Sequence, residues 1–218
     1  MYRALLASVG ASLAVSMAHA QPTVAPDIAL GKNLSVTCAA CHQPDGSGRD
    51  IPQGESWPRL AGMSAHYLAK QMRDFKSGAR KSATMQAFAQ MLDDAQIAHV
   101  SAYYASLPPP ASATPAEADA ALLERGKRLA LQGDWDRYIV PCKSCHGPDN
   151  QGAGPSFPGI AGQHAHYISA QLRAWQEGTR ANDPLNLMAA IAKRMTAEDI
   201  RAVSAWLATQ PARAKGAK

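Results

Sequence analysis

The pentapeptide Cys-x-x-Cys-His occurs twice, as Cys38-Ala39-Ala40-Cys41-His42 and as Cys142-Lys143-Ser144-Cys145-His146, and together the two copies use all four cysteines of the chain. Two thiols separated by two residues on a helical turn can add across the two vinyl groups of one porphyrin, and the next residue then offers an imidazole to the iron from the same side. Each copy is therefore a chelate for one covalently attached haem c. Paired cysteines at this spacing also occur in zinc sites and in dithiol oxidoreductases. Neither of those needs His42 and His146 at the same offset, and no cysteine remains for a structural disulfide.

A haem with one histidine ligand has an open face, and what fills it separates a carrier from a catalyst. Beyond residue 20 there are six methionines, at 63, 72, 85, 91, 188 and 195. Any one of them could simply fill core space. An internal repeat discriminates among them. The haem motifs are offset by 104, Trp57-Pro58-Arg59-Leu60-Ala61-Gly62 matches Phe157-Pro158-Gly159-Ile160-Ala161-Gly162 at 100, and the last block, Ile97 to Tyr103, matches Ile200 to Trp206 at 103. In the 103 register Met85 falls on Met188, whereas Met91 falls on Arg194 and Met195 on Leu92; in the 100 register Met63 meets Gln163 and Met72 meets Leu172. Met85 and Met188 are thus the equivalent pair, 47 residues after Cys38 and 46 after Cys142, in what reads as a loop before the final helix of each unit. His66 and His166 are also equivalent and compete with them as ligands; His99 and His164 face Ala202 and Ser64 and read as surface residues.

The elements that must hold these groups read as helices. Tyr67, Leu68, Met72 and Phe75 lie on one helical face, as do Tyr167, Ile168, Leu172 and Trp175. The last helix of each unit opens at a capping signal, Asp93 with Gln96 and Thr196 with Asp199, and places Ile97, Val100 and Tyr104, or Ile200, Val203 and Leu207, toward a core. Gly31 and Gly126 sit inside the opening helices, where glycine costs ~1 kcal/mol relative to alanine, so close helix packing is expected there. No segment alternates as a strand.

Residues 1–20 carry one cation, Arg3, an Ala-rich apolar run and Ala18-His19-Ala20, the pattern of a secretory signal peptide, which predicts a periplasmic protein. The run is short of the ~20 apolar residues of a spanning helix. Leu107-Pro108-Pro109-Pro110-Ala111-Ser112-Ala113-Thr114-Pro115 holds four prolines in nine residues, a semi-rigid connector. The expected organisation is a signal peptide at 1–20, a first domain at 21–106, the linker at 107–115 and a second domain at 116–218. The formal charge of +5 is offset by the four propionates two haems would bring, so no nucleic-acid partner is inferred. Arg213, Lys215 and Lys218 read as a frayed basic tail.

With these motifs in tandem, each followed by an aromatic-Pro-x-aliphatic-Ala-Gly segment, a Tyr/Gln helix, a Met segment and an aromatic-bearing last helix, the chain resembles cytochrome c4 over essentially its whole mature length. The resemblance implies an all-α fold of two tandem class I cytochrome c domains, with iron ligated by His42 and Met85 and by His146 and Met188. It also implies that Pro58 and Pro158 hold the ligating imidazoles through their carbonyls. Propionates would approach across a pseudo-twofold interface, with Arg80 and Arg180 as candidate partners, a solvated loop charge being the alternative. The first haem loop, Gln43 to Ser56, is four residues longer than its counterpart and carries Arg49, Asp50 and Glu55. The expected function is electron carriage between redox partners, a membrane oxidase or reductase complex among them, with room for peripheral membrane association. A dihaem peroxidase or thiosulfate-dehydrogenase type of enzyme, or a cytochrome subunit of a dehydrogenase complex, is the alternative.

Overall fold

The computed structural model describes residues 25–111 and 119–213. The signal segment, residues 112–115 of the linker, and Lys215 and Lys218 lie outside the described residues. Two equivalent helical units follow one another. The first comprises α1 (Ile28–Leu34), α2 (Ala39–His42), α3 (Ala65–Ser77), α4 (Ala83–Gln90) and α5 (Asp94–Ser106); the second comprises α6 (Ala120–Leu131), α7 (Lys143–His146), α8 (Ala165–Glu177), α9 (Leu187–Ala192) and α10 (Ala197–Thr209). Extended pairing among the described residues is limited to isolated bridges.

In each unit the opening helix crosses the closing one, α1 on α5 and α6 on α10. The glycines explain how closely. A Cβ on Gly31 would overlap the His99 carbonyl and come within 2.9 Å of the Tyr103 Cβ; one on Gly126 would overlap the Ala202 carbonyl and come within 2.8 Å of the Trp206 Cβ. The helices α3 and α8 then pack across α5 and α10. Their crossing buries Leu68, Val100 and Tyr104 in the first unit and Ile168, Leu172, Ile200, Val203 and Leu207 in the second. Both expected capping boxes form: Asp93 with Gln96 and Thr196 with Asp199 each exchange side-chain bonds with the opposite backbone N–H.

Two expectations are corrected. Met85 and Met188 lie in the short helices α4 and α9, not in loops. The Ser82 hydroxyl accepts the Met85 N–H at 3.2 Å, and the Asp183 carboxylate accepts those of Met188 and Ala189 at 2.9 and 3.2 Å, so side-chain acceptors satisfy the free amides that starting a helix leaves. His99 is not a surface residue. It is buried on α5, where its Nδ1 accepts the Asp27 N–H at 2.8 Å and ties down the start of α1.

Candidate functional site

The first turn of each site is built in the same way. Cys38 and Cys142 begin single helical turns, α2 and α7, so both thiols of each pair and the following histidine are presented from one short segment. A sharp backbone reversal follows at Gln43 and Gly147, both at positive φ, and the chain returns so that a proline carbonyl meets the histidine. His42 Nδ1 lies 2.9 Å from the Pro58 carbonyl and His146 Nδ1 lies 2.7 Å from that of Pro158. A carbonyl can only accept, so both Nδ1 atoms carry the proton and both Nε2 lone pairs are left for another partner. Burial pushes both imidazoles below the ordinary histidine range, the proline carbonyls opposing it only in part, so the rings are neutral at pH 7.

A cavity of about 1110 Å³ runs between the two units and is lined by Cys38, Cys41, His42 and Met85 from the first and by Cys142, Cys145, His146 and Met188 from the second. That exceeds the ~300–1,000 Å³ of an ordinary small-molecule pocket. Its wall also carries Tyr67, Phe75, Tyr167 and Trp175. An apolar cavity with two dithiol-histidine turns fits two covalent porphyrins. Among the described residues no three His, Cys, Asp or Glu side chains converge as a metal cluster, so the four cysteines are not assembled as one zinc site. Nor are the leading thiols of the two pairs activated: burial raises Cys38 above the ordinary range and Cys142 to about 11, the opposite of the lowered value a redox dithiol needs.

All six methionines line the cavity, but their settings differ. Met63 and Met195 are packed into the two cores, and Met91 is 70% exposed. His66 and His166 are exposed and do not line the cavity. His166 instead bonds Asp50 of the longer first loop, Nδ1 to Oδ2 at 2.9 Å. His164, expected on the surface, is half-buried between the units, its Nε2 donating to the Ser47 carbonyl at 2.9 Å. Arg213, expected to fray, bonds Asp149 at 3.3 Å.

Arg80 and Arg180 are not solvated loop charges. Each is more than nine-tenths buried where the two units meet, their backbones bridging one another, with one guanidinium over Phe75 and the other over Trp175. Arg80 donates to Gln71 (2.8 Å), Tyr167 (2.8 Å) and Gln171 (2.9 Å); Arg180 donates to Gln171 (2.7 Å), Asn182 (3.0 Å), Gln71 (3.2 Å) and Tyr67 (3.3 Å). Neither pairs with a carboxylate among the described residues. Burial opposes ionisation of Tyr167, but the two guanidinium groups outweigh it and hold that hydroxyl below its ordinary value. A third cation, Arg59, is 3% exposed and donates to the carbonyls of Ala61, Ala161 (3.1 Å) and Gly162 (3.2 Å). Burial pulls its guanidinium down to about 10, still charged at neutral pH. Sequence reasoning gave Arg59 and its partner Gln163 no role. Their signal was available: both break the repeat, against Gly159 and Met63.

The cytochrome c family model matches residues 28–108 and again 123–211. A thiosulfate dehydrogenase electron acceptor from Thiomonas intermedia (strain K12) is 45% identical over 177 residues, 81% of this chain and 80% of that protein. Cytochrome c4 from Azotobacter vinelandii is 35% identical over 202 residues, 88% of this chain and 90% of that one. Among solved structures, reduced recombinant cytochrome c4 from Pseudomonas stutzeri superposes with a TM-score of 0.76 at 30% identity, covering 85% of this chain and 100% of that one. Thiosulfate dehydrogenase (TsdBA) from Marichromatium purpuratum, in its as-isolated form, gives a TM-score of 0.77 at 39% identity over 85% of this chain, which spans 40% of that longer protein. With two family matches in tandem, one on each Cys-x-x-Cys-His unit, the chain belongs to the cytochrome c family as a dihaem member of the cytochrome c4 type, carrying two covalent haem c groups.

Proposed function

We propose that this protein is a periplasmic electron carrier that accepts electrons from a thiosulfate-oxidising dehydrogenase and passes them onward, a terminal oxidase being the expected acceptor. The observation that carries this reading is the single cavity with two equivalent haem turns, backed by neutral, pre-oriented imidazoles. The choice of donor rests on similarity to proteins named as thiosulfate dehydrogenase electron acceptors.

In this proposal His42 with Met85 and His146 with Met188 would ligate the two irons. Each haem, when bound, supplies a one-electron ferric/ferrous couple, with methionine ligation raising its potential. The chain does the rest. Cys38, Cys41, Cys142 and Cys145 fix the two porphyrins, Pro58 and Pro158 hold the ring orientation, and the aromatic walls exclude water. Arg80 and Arg180 offer buried donors to propionates where the two units meet, since a buried cation without a carboxylate is otherwise costly.

With both irons closed there is no position for substrate, so the reduced protein should bind carbon monoxide slowly or not at all. Met188→Ala should open one haem per molecule to it. Rapid binding by the unaltered protein would refute the closed assignment. Stopped-flow mixing supplies the partner test: thiosulfate alone leaves the ferric protein oxidised, and a thiosulfate dehydrogenase with its substrate reduces it. Reduction by thiosulfate alone would favour an enzyme.

A further inference from the structure

The two repeat-breaking residues, Arg59 and Gln163, meet in the fold. Gln163 belongs to the second unit, is buried, and brackets the backbone of Arg59 in the first: its Oε1 accepts the Arg59 N–H at 2.9 Å and its Nε2 donates to the Arg59 carbonyl at 3.0 Å. The Arg59 N–H belongs to the same peptide unit as the Pro58 carbonyl, and that carbonyl accepts the His42 Nδ1–H. One amide therefore links a side chain of the second unit to the imidazole of the first. Hydrogen bonds in such a chain polarise one another: an acceptor on the N–H places more charge on the carbonyl oxygen. A stronger acceptor at Nδ1–H makes the other ring nitrogen a better donor to iron, and a better donor favours the ferric state.

The second unit lacks this connection. The Pro158 carbonyl accepts from His146, but the N–H of Gly159 has no hydrogen-bond partner among the described residues, and Met63 stands where Gln163 would have its counterpart. We infer that Gln163 is a positioning residue for the haem of the opposite domain, acting through the Pro58–Arg59 peptide on His42, so that docking of the two units tunes the first haem and not the second. This rests on the proposed ligation of iron by His42. The Arg59 guanidinium is bound separately to three carbonyls, so a change at 163 leaves that charge in place.

The test is a potentiometric titration of the holoprotein, with the two haems resolved by their hyperfine-shifted methyl resonances, for Gln163→Met and Gln163→Glu. Gln163→Met, which installs the counterpart residue, should shift the first haem's reduction equilibrium about threefold toward the ferrous form, about 28 mV at 59 mV per tenfold, and leave the second unmoved. Gln163→Glu keeps an acceptor for the Arg59 N–H and should stay at the native value or on its ferric side. An unshifted first haem, an equal shift of both haems, or a Gln163→Glu shift in the Gln163→Met direction would overturn the inference. Failure of the ligand assignment is read separately, from a native ferric spectrum without histidine ligation at the first haem.

Discussion

Asp199 gives the second unit a charged anchor that the first unit lacks. It lies at the third position of α10, fully buried, and takes Arg125 at 2.6 Å from α6, Arg137 at 2.6 Å from the loop before the haem turn, and the Thr196 N–H at 2.8 Å. Its counterpart at offset 103 is the neutral Gln96. Burial opposes ionisation of Asp199, but the Arg137 bond, the Thr196 amide and Arg125 outweigh it and hold the carboxyl well below the usual range. Asp199→Asn keeps an acceptor for the cap and removes the charge. Breaking a buried ion pair costs about 3–5 kcal/mol. Here both guanidinium groups are about one-third exposed, which screens them, so the expected loss at pH 7 is about 2 kcal/mol. That lowers a urea midpoint by about 1 M if m is about 2 kcal/mol/M. The folded pKa is depressed, so this stability is complete above the unfolded value of about 3.9 and is lost as pH falls through the lower folded value. The gap between Asp199→Asn and the native protein should therefore begin to narrow below pH ~4 and go on narrowing as pH falls toward the folded value. Urea unfolding of the holoprotein followed by haem absorbance, repeated from pH 7 downward, measures it. Gln96→Ala is the control, costing ~1 kcal/mol with no such pH dependence. An Asp199→Asn loss no larger than the control's, or a gap that does not narrow below pH ~4, would refute the reasoning.

Gly126→Ala should destabilise the second unit by about 1–3 kcal/mol in thermal denaturation, because the overpacked α6/α10 crossing outweighs the ~1 kcal/mol gain in helix propensity. Gly31→Ala should do the same to the α1/α5 crossing, and a neutral result at either glycine would show that the helices can part without loss. Arg180→Gln removes a buried cation beside the haem cavity and should disfavour the ferrous state of both haems, each by about tenfold, read as a lowering of about 59 mV in a redox titration. Unchanged potentials would assign Arg180 to holding the two units together alone.

Most of this architecture was legible in the sequence because its signals are local. The haem turns are contiguous pentapeptides, the capping boxes span four residues, and Gly31 and Gly126 mark helix crossings by violating helix propensity. The equivalence of Met85 and Met188 was legible too, because the repeat converts one chain into two aligned sequences. Their helical setting was not read, although its signals are local too: Ser82 caps the Met85 amide three residues on, and Asp183 accepts that of Met188 five residues on. His99 misled for a different reason. A polar side chain without a counterpart looks like surface, and its partner, the Asp27 amide, is 72 residues away. The same distance hid Arg59 and Gln163, whose bonds span 104 residues.

The contacts between the units account for several of the places where the repeat holds and where it fails. Residues in matched positions, Tyr67 and Tyr167, Gln71 and Gln171, Arg80 and Arg180, bond reciprocally, as two copies of one surface facing each other must. Residues without a matching counterpart form one-sided bonds: Arg59 with Gln163, His164 with the Ser47 carbonyl, and Asn182 with Asp74 at 2.6 Å and the Asn182 carbonyl with Lys70 at 3.0 Å. In the second unit the places of Arg59, Lys70 and Asp74 are held by Gly159, Ala170 and Ala174; in the first, those of Gln163, His164 and Asn182 are held by Met63, Ser64 and Ser82. Drift in two independent beads would scatter such differences over both surfaces. Here the departures Arg59, Lys70 and Asp74 in one unit meet the departures Gln163 and Asn182 in the other, so these substitutions both make the halves unequal and join them. Two haems enclosed by equal halves would have equal surroundings. The one-sided bonds make them unequal, and they do so from the face the two haem sites share.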